Sequence, residues 1–148
     1  MTKKEIAISK FTDGYNCSQS VLYSFCDFLN FDPDLALKIS CGFGAGMGRK
    51  EEVCGAISGG IMILGLLYGR ENNQESTLTE DTYSKTKYLI DQFTEKQGTI
   101  SCRKLLDDCN LTTPEGQEEF KKKDLYNKVC KRCVGNVVNI LEDIIENN

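Results

Sequence analysis

Val53-Cys54-Gly55-Ala56-Ile57-Ser58-Gly59-Gly60-Ile61-Met62-Ile63-Leu64-Gly65-Leu66-Leu67-Tyr68 is the most apolar stretch of the chain. Its apolar part, Ala56 to Tyr68, is about half to two-thirds of a membrane span and is rich in glycine. It therefore reads as a buried helix from about Val53 to Tyr68, and membrane insertion is not expected. Each glycine costs a helix on the order of 1 kcal/mol relative to alanine, so several together need a packing reason. Gly55, Gly59 and Gly60 are spaced to let another helix approach very closely. If that small-residue face were exposed, it would favour a homodimer.

Just upstream lies Cys41-Gly42-Phe43-Gly44-Ala45-Gly46-Met47-Gly48, where glycine at every second position can supply positive φ. The run lacks the GK[ST] ending of a phosphate loop and follows a helix rather than a strand, so nucleotide binding is not expected. Arg49 at its end could still hold an anion. The plainer reading is a tight connection that lets the Cys54 helix dock.

The same helical periodicity extends outward in both directions. Ile6, Ala7 and Phe11 mark a first segment, broken at Asp13-Gly14. Asn16 or Ser18 caps the next, with Val21, Leu22, Phe25 and Leu29 along it. Asp32 caps a third, with Pro33 at its first position. Beyond the polar loop Arg70–Ser76, Thr79 caps a helix carrying Tyr83, Tyr88, Ile90 and Phe93 and ending at Gly98. A short helix holds Cys102, Leu105 and Leu106. Thr113-Pro114-Glu115 opens another, and a long final helix runs from about Leu125 to Ile145. No strand alternation interrupts the pattern. The expectation is an all-α, single-domain bundle of about six or seven helices over residues 1–148, with a central glycine-rich apolar helix.

A chain of 148 residues can bury a core without staples. Its net charge of −4 offers no basic footprint, and Lys121-Lys122-Lys123, behind Glu118 and Glu119, reads as a solvated face; no nucleic acid is expected. No apolar run follows the charged start Met1-Thr2-Lys3-Lys4-Glu5, so a cytoplasmic location is expected. There is no histidine, which removes the usual general base and the histidine-based zinc and haem sites. Against that stand eight cysteines. In a cytosolic domain of this size such thiols serve metal binding or redox chemistry more often than structural disulfides.

Cys54, Cys17 and Cys102 each fall at the start of a predicted helix, where free backbone N–H groups and the helix dipole lower a thiol pKa. At Cys54 the neighbouring carboxylates Glu51 and Glu52 oppose that effect. Cys130-Lys131-Arg132-Cys133 is a CxxC with both thiols on one helix face and two cations between them, which favour thiolate. Cys133 equally suits core packing beside Val134 and Val137. Cys26, Cys41 and Cys109 have no such feature and are expected in the core.

Four blocks of the sequence resemble a family of redox-active proteins named for its CGAxxG motif, the C_GCAxxG_C_C family. They are Asp13-Gly14-Tyr15-Asn16-Cys17-Ser18-Gln19-Ser20-Val21-Leu22; Gly42 to Arg49 followed by Cys54-Gly55-Ala56-Ile57-Ser58-Gly59; Cys102-Arg103-Lys104-Leu105-Leu106 with Thr113-Pro114-Glu115-Gly116; and Cys130 with Val134 and the apolar helix to Ile145. The resemblance places the family's four characteristic cysteines on Cys17, Cys54, Cys102 and Cys130, and puts Cys133 at an ordinary apolar position, a secondary thiol. The family includes a haem-bearing split-Soret cytochrome, but this chain has neither the CxxCH motif nor any histidine, so no haem is expected. Three functions follow. The first is thiol–disulfide chemistry with an undetermined redox partner or small thiol or disulfide, with Cys54 as candidate nucleophile. The second is zinc, copper(I) or iron–sulfur binding by the four thiolates of Cys17, Cys54, Cys102 and Cys130. The third is a non-enzymatic helical module with structural cysteines.

Overall fold

Thr2, Asn16, Asp32, Ser101 and Thr113 each turn a side-chain oxygen onto a backbone N–H two or three residues ahead, and so fix where five helices begin. The computed structural model describes residues 1–148. Its helices are α1 (Lys3–Thr12), α2 (Cys17–Ser24), α3 (Cys26–Leu29), α4 (Pro33–Ser40), α5 (Gly55–Tyr68), α6 (Thr77–Gln97), α7 (Cys102–Leu105), α8 (Pro114–Lys122) and α9 (Lys131–Glu146). Seven have eight residues or more, and α3 and α7 are single turns. No strand is present, and one isolated bridge joins Val53 to Ser101. The protein is an all-α domain.

The expected boundaries differ in three places. Phe25 leaves helical geometry (φ −103°, ψ 0°), so the second expected helix divides into α2 and α3. α6 starts at Thr77 behind Ser76 rather than at a Thr79 cap. It buries only Leu89 and Phe93, so Tyr83 and Tyr88 face outward. The final helix is not one α-helix from Leu125. A π-turn over Tyr126–Cys130 precedes α9.

α5 is the centre of the bundle. A Cβ at Gly59 would stand 2.7 Å from the carbonyl oxygen of Ser18 on α2. One at Gly60 would stand 2.9 Å from Val137 on α9 and 3.0 Å from Leu89 on α6. The glycines thus let the α2 backbone and the side chains of α6 and α9 press directly onto α5, and their face is covered within the chain. Around them Leu22, Phe25, Ile57, Phe93, Val134 and Leu141 are fully buried. A smaller apolar cluster of Cys102, Leu106, Cys109 and Leu111 lies beside this core. No helix is long and apolar enough to cross a membrane.

Gly65 tests this packing by contrast, because nothing lies within 4 Å of the Cβ it lacks. Gly59→Ala is expected to destabilise the fold by about 1–3 kcal/mol through overpacking against backbone. Gly65→Ala is expected to stabilise it by roughly 0.5–1 kcal/mol. Urea denaturation of the two variants checks both signs.

Candidate functional site

Gly44 to Arg49 builds an unusual corner. Ala45 (φ 52°, ψ 41°) and Gly46 (φ 64°, ψ 47°) are left-handed, and Met47, Gly48 and Arg49 also have positive φ. The Gly48 N–H donates to Gly44 O at 2.9 Å, closing one left-handed turn. Such a conformation costs a non-glycine residue roughly 1–2 kcal/mol, so Ala45, Met47 and Arg49 are held there by their surroundings. At Gly46 a Cβ would meet Glu52 N at 2.6 Å and Cys102 Cβ at 2.8 Å, so this glycine is required for close approach as well as for φ.

The corner delivers Glu51, whose side chain is fully buried. Its Oε1 accepts from Arg103 Nη2 at 3.0 Å and from the Leu111 N–H at 2.9 Å, while Oε2 has no partner. Backbone bonds complete the clip: Cys54 N–H donates to Ile100 O at 2.8 Å, and Cys102 N–H to Glu52 O at 2.6 Å. Two cysteines 48 positions apart in sequence are thereby set side by side.

Cys17 arrives from the other direction. It is the first residue of α2, behind a capping box in which Asn16 and Gln19 satisfy each other's backbone N–H. Asn16 Nδ2 also donates to Cys41 O at 2.8 Å. Gly55 then lets α2 meet the start of α5: its missing Cβ would lie 3.4 Å from Cys17 Cβ and 3.0 Å from Phe43 O. Cys130 closes the π-turn, which is pinned by Tyr126. The Tyr126 ring stacks on Phe11 with centroids 4.3 Å apart, and its hydroxyl donates to Phe11 O.

These elements enclose a cavity of about 370 Å³ lined by Cys17, Cys54, Cys102, Cys130 and Cys133. Phe11, Leu105, Leu106, Phe120, Tyr126 and Val129 make up much of the remaining wall. All five thiols singled out in the sequence are therefore brought together. Cys26 and Cys109 are buried apart from it, donating to Leu22 O at 3.6 Å and Gly116 O at 3.1 Å. Cys41 is exposed rather than packed in the core. No cysteine is disulfide-bonded.

Among the thiols on the cavity, Cys17 is influenced most by Cys130, and Cys54 and Cys133 most by each other. Cys133 is 1 % exposed, so it serves both the core and the site. Cys54 is the one thiol whose pKa is lowered. The Cys133 thiol donates to it, and the Ala56 and Ile57 N–H groups at the start of α5 add to the effect against the cost of burial. The other members move the opposite way. Cys17 is raised by its bond with Cys130, by burial and by neighbouring thiols. Cys102 is raised by burial, then by Cys54, Cys130 and Glu51. Cys133 is raised by its bond with Cys54 and by burial.

Three expectations are corrected here. Position in a first helical turn does not lower Cys17 or Cys102, because burial and adjacent thiols outweigh the backbone dipoles. Lys131 and Arg132 do not favour a Cys133 thiolate, since its surroundings are set by Cys54 and the core. Glu51 bears on Cys102 and, through space, on Cys109, rather than opposing Cys54. The sequence reading missed the Glu51–Arg103 clip and the Phe11–Tyr126 stack, which join distant segments without any local motif.

No group of three or more cysteine, aspartate or glutamate side chains stands in an arrangement that could hold an ion. The thiols line a cavity instead.

The family described as "Putative redox-active protein (C_GCAxxG_C_C)" matches residues 15–144, nearly the whole chain. No curated protein matches, and no solved structure does.

The thiol environment has a consequence for stability. An ordinary thiol here has a value of 9.0, and the folded state keeps Cys17, Cys102, Cys109 and Cys133 protonated above it, with Cys109 pushed up to about 11. Those four contribute stability that is fully present below about pH 9 and is lost as pH rises beyond it, because the unfolded chain then binds fewer protons than the folded one. Cys54 acts in the opposite sense, favouring the fold above pH 9. Four thiols outweigh one, so the urea midpoint of the reduced protein is expected to fall between about pH 9 and about pH 11. Cys102→Ala should flatten that fall; a midpoint that rises over the same range contradicts the burial assigned to these thiols.

Proposed function

The chain belongs to the redox-active family just described, and on that premise we propose that it is a thiol–disulfide redox protein in which Cys54 is the attacking thiolate and Cys133 the resolving thiol. The observation that carries this reading is the Cys54–Cys133 pair itself. The one thiol with a lowered pKa stands at the start of α5, and it shares the cavity wall with the second thiol that lowers it.

The Cys54 thiolate attacks one sulfur of a disulfide RSSR, forms a Cys54–S–S–R bond and releases RS⁻. The charge on Cys54 is then gone, and with it the main cause that raises Cys133. Cys133 gives its proton to a departing thiolate and attacks Cys54 Sγ. A Cys54–Cys133 disulfide forms and the second RS⁻ leaves. Two electrons pass from the dithiol to the substrate. Cys17 and Cys130 offer a second thiol pair, without a lowered member, and Cys102 lines the same cavity and feels both Cys54 and Cys130.

The test is alkylation and disulfide mapping on anaerobically purified, reduced protein. Cys54 is expected to be alkylated first, with a pH–rate midpoint below that of an ordinary thiol. In Cys133→Ala that midpoint should move to higher pH, since the donor that favours the thiolate is removed. Stepwise oxidation should yield Cys54–Cys133 as the first intramolecular disulfide. Near-stoichiometric iron or zinc in the same preparation, with about four thiols protected from alkylation, would overturn the dithiol reading in favour of thiolate–metal binding.

A further inference from the structure

The thiols are poorly placed for a protein disulfide. Cys54 is 5 % exposed, Cys102 8 % and Cys133 1 %, and all three line the cavity. A reactant must therefore be slender enough to enter a space of about 370 Å³, which is the size of a small-molecule site.

The charge on the cavity wall is one-sided. The chain has 22 acidic and 18 basic residues, yet the only charged side chains other than thiols on the cavity are Arg49 and Lys121, both cationic. Neither makes an ion pair, whereas Lys123 of the same basic run is bridged to Glu119 at 3.2 Å and Arg103 to Glu51 at 3.0 Å. Both are exposed, at the open side, while the interior wall is mainly apolar. Arg49 stands where it does because the left-handed turn holds it at φ 69°. Unpaired cations at the mouth of a low-dielectric cleft attract and orient an anion more strongly than the same cations on open surface.

Resting on the thiol–disulfide reading, we infer that the cavity takes a small organic disulfide with an apolar body and an anionic end, with Arg49 and Lys121 as partners of the anion. The apolar body lies against the aromatic and leucine wall, which places the S–S bond among the thiols. The reaction is the exchange already given, with two electrons passing to the disulfide and both halves leaving as thiols. The product thiols keep their anionic group, and a further thiol-based reductant must regenerate the Cys54–Cys133 dithiol.

Two coloured reagents separate the charge requirement from the thiol chemistry. Dithiobis(nitrobenzoate) is an aromatic disulfide with carboxylates, and dithiodipyridine is a neutral aromatic disulfide. The full-length reduced chain is mixed with each, and each rate is divided by that of the same reagent with the urea-unfolded chain. The folded protein is expected to favour the anionic reagent by about tenfold after this normalisation, as charge-assisted contacts imply. The preference should shrink with added salt and should fall in Arg49→Gln, in Lys121→Gln and furthest in the double variant. If both reagents give Cys54–Cys133 but no preference for the anion survives normalisation, the anion assignment is overturned and the thiol reading stands. If neither reagent gives that disulfide, the thiol reading falls, and this inference with it.

Discussion

The backbone-distance packing of α2 on α5 is the constraint on which the rest depends. Ser18 lies against Gly59, and Cys17 Cβ against the space left by Gly55. One helix turn therefore sets both the axis of the core and the position of two thiols. A side chain at either glycine would push α2 away and carry Cys17 off the cavity. The glycines cost helix stability, and the tight α2–α5 and α5–α9 packing offsets that cost.

A chain with no histidine must make a reactive thiol by other means. Here the agents are the N–H groups opening α5 and a neighbouring thiol that donates a hydrogen bond. The arrangement is asymmetric of necessity. In a cluster of like acids in a buried space, one ionises readily only while the others remain protonated, so lowering Cys54 accompanies raising Cys17, Cys102 and Cys133. The thiolate is favoured at one sulfur, and under the proposed exchange mixed-disulfide formation at that sulfur would release its neighbours to react.

Much of the fold was legible in local signals. The Asn16, Asp32 and Thr113 caps, the prolines at positions 33 and 114, and the glycine helix sit where their chemistry put them. Helix starts and the CxxC spacing singled out Cys17, Cys54, Cys102, Cys130 and Cys133, the family resemblance pointed to four of them, and the structure places all five on one cavity. What was hidden depends on tertiary partners. The π-turn at Tyr126 is held by a ring 115 positions away, and the left-handed turn at Ala45 by the Glu51–Arg103 clip. The thiol pKa values were misjudged for the same reason. A helix start is visible in sequence, but the burial and the adjacent sulfurs that outweigh it are not.

Five thiols line one cavity, and the central claim is that they work as the pairs Cys17–Cys130 and Cys54–Cys133. Sulfur anomalous diffraction from crystals of the reduced protein, grown without oxygen, tests it most directly. The account predicts five sulfur peaks around one space, with Cys54 in contact with Cys133, Cys17 in contact with Cys130, and no heavier scatterer among them. A metal peak bound by three or more of these sulfurs, or Cys133 turned away from Cys54 into the core, would contradict it.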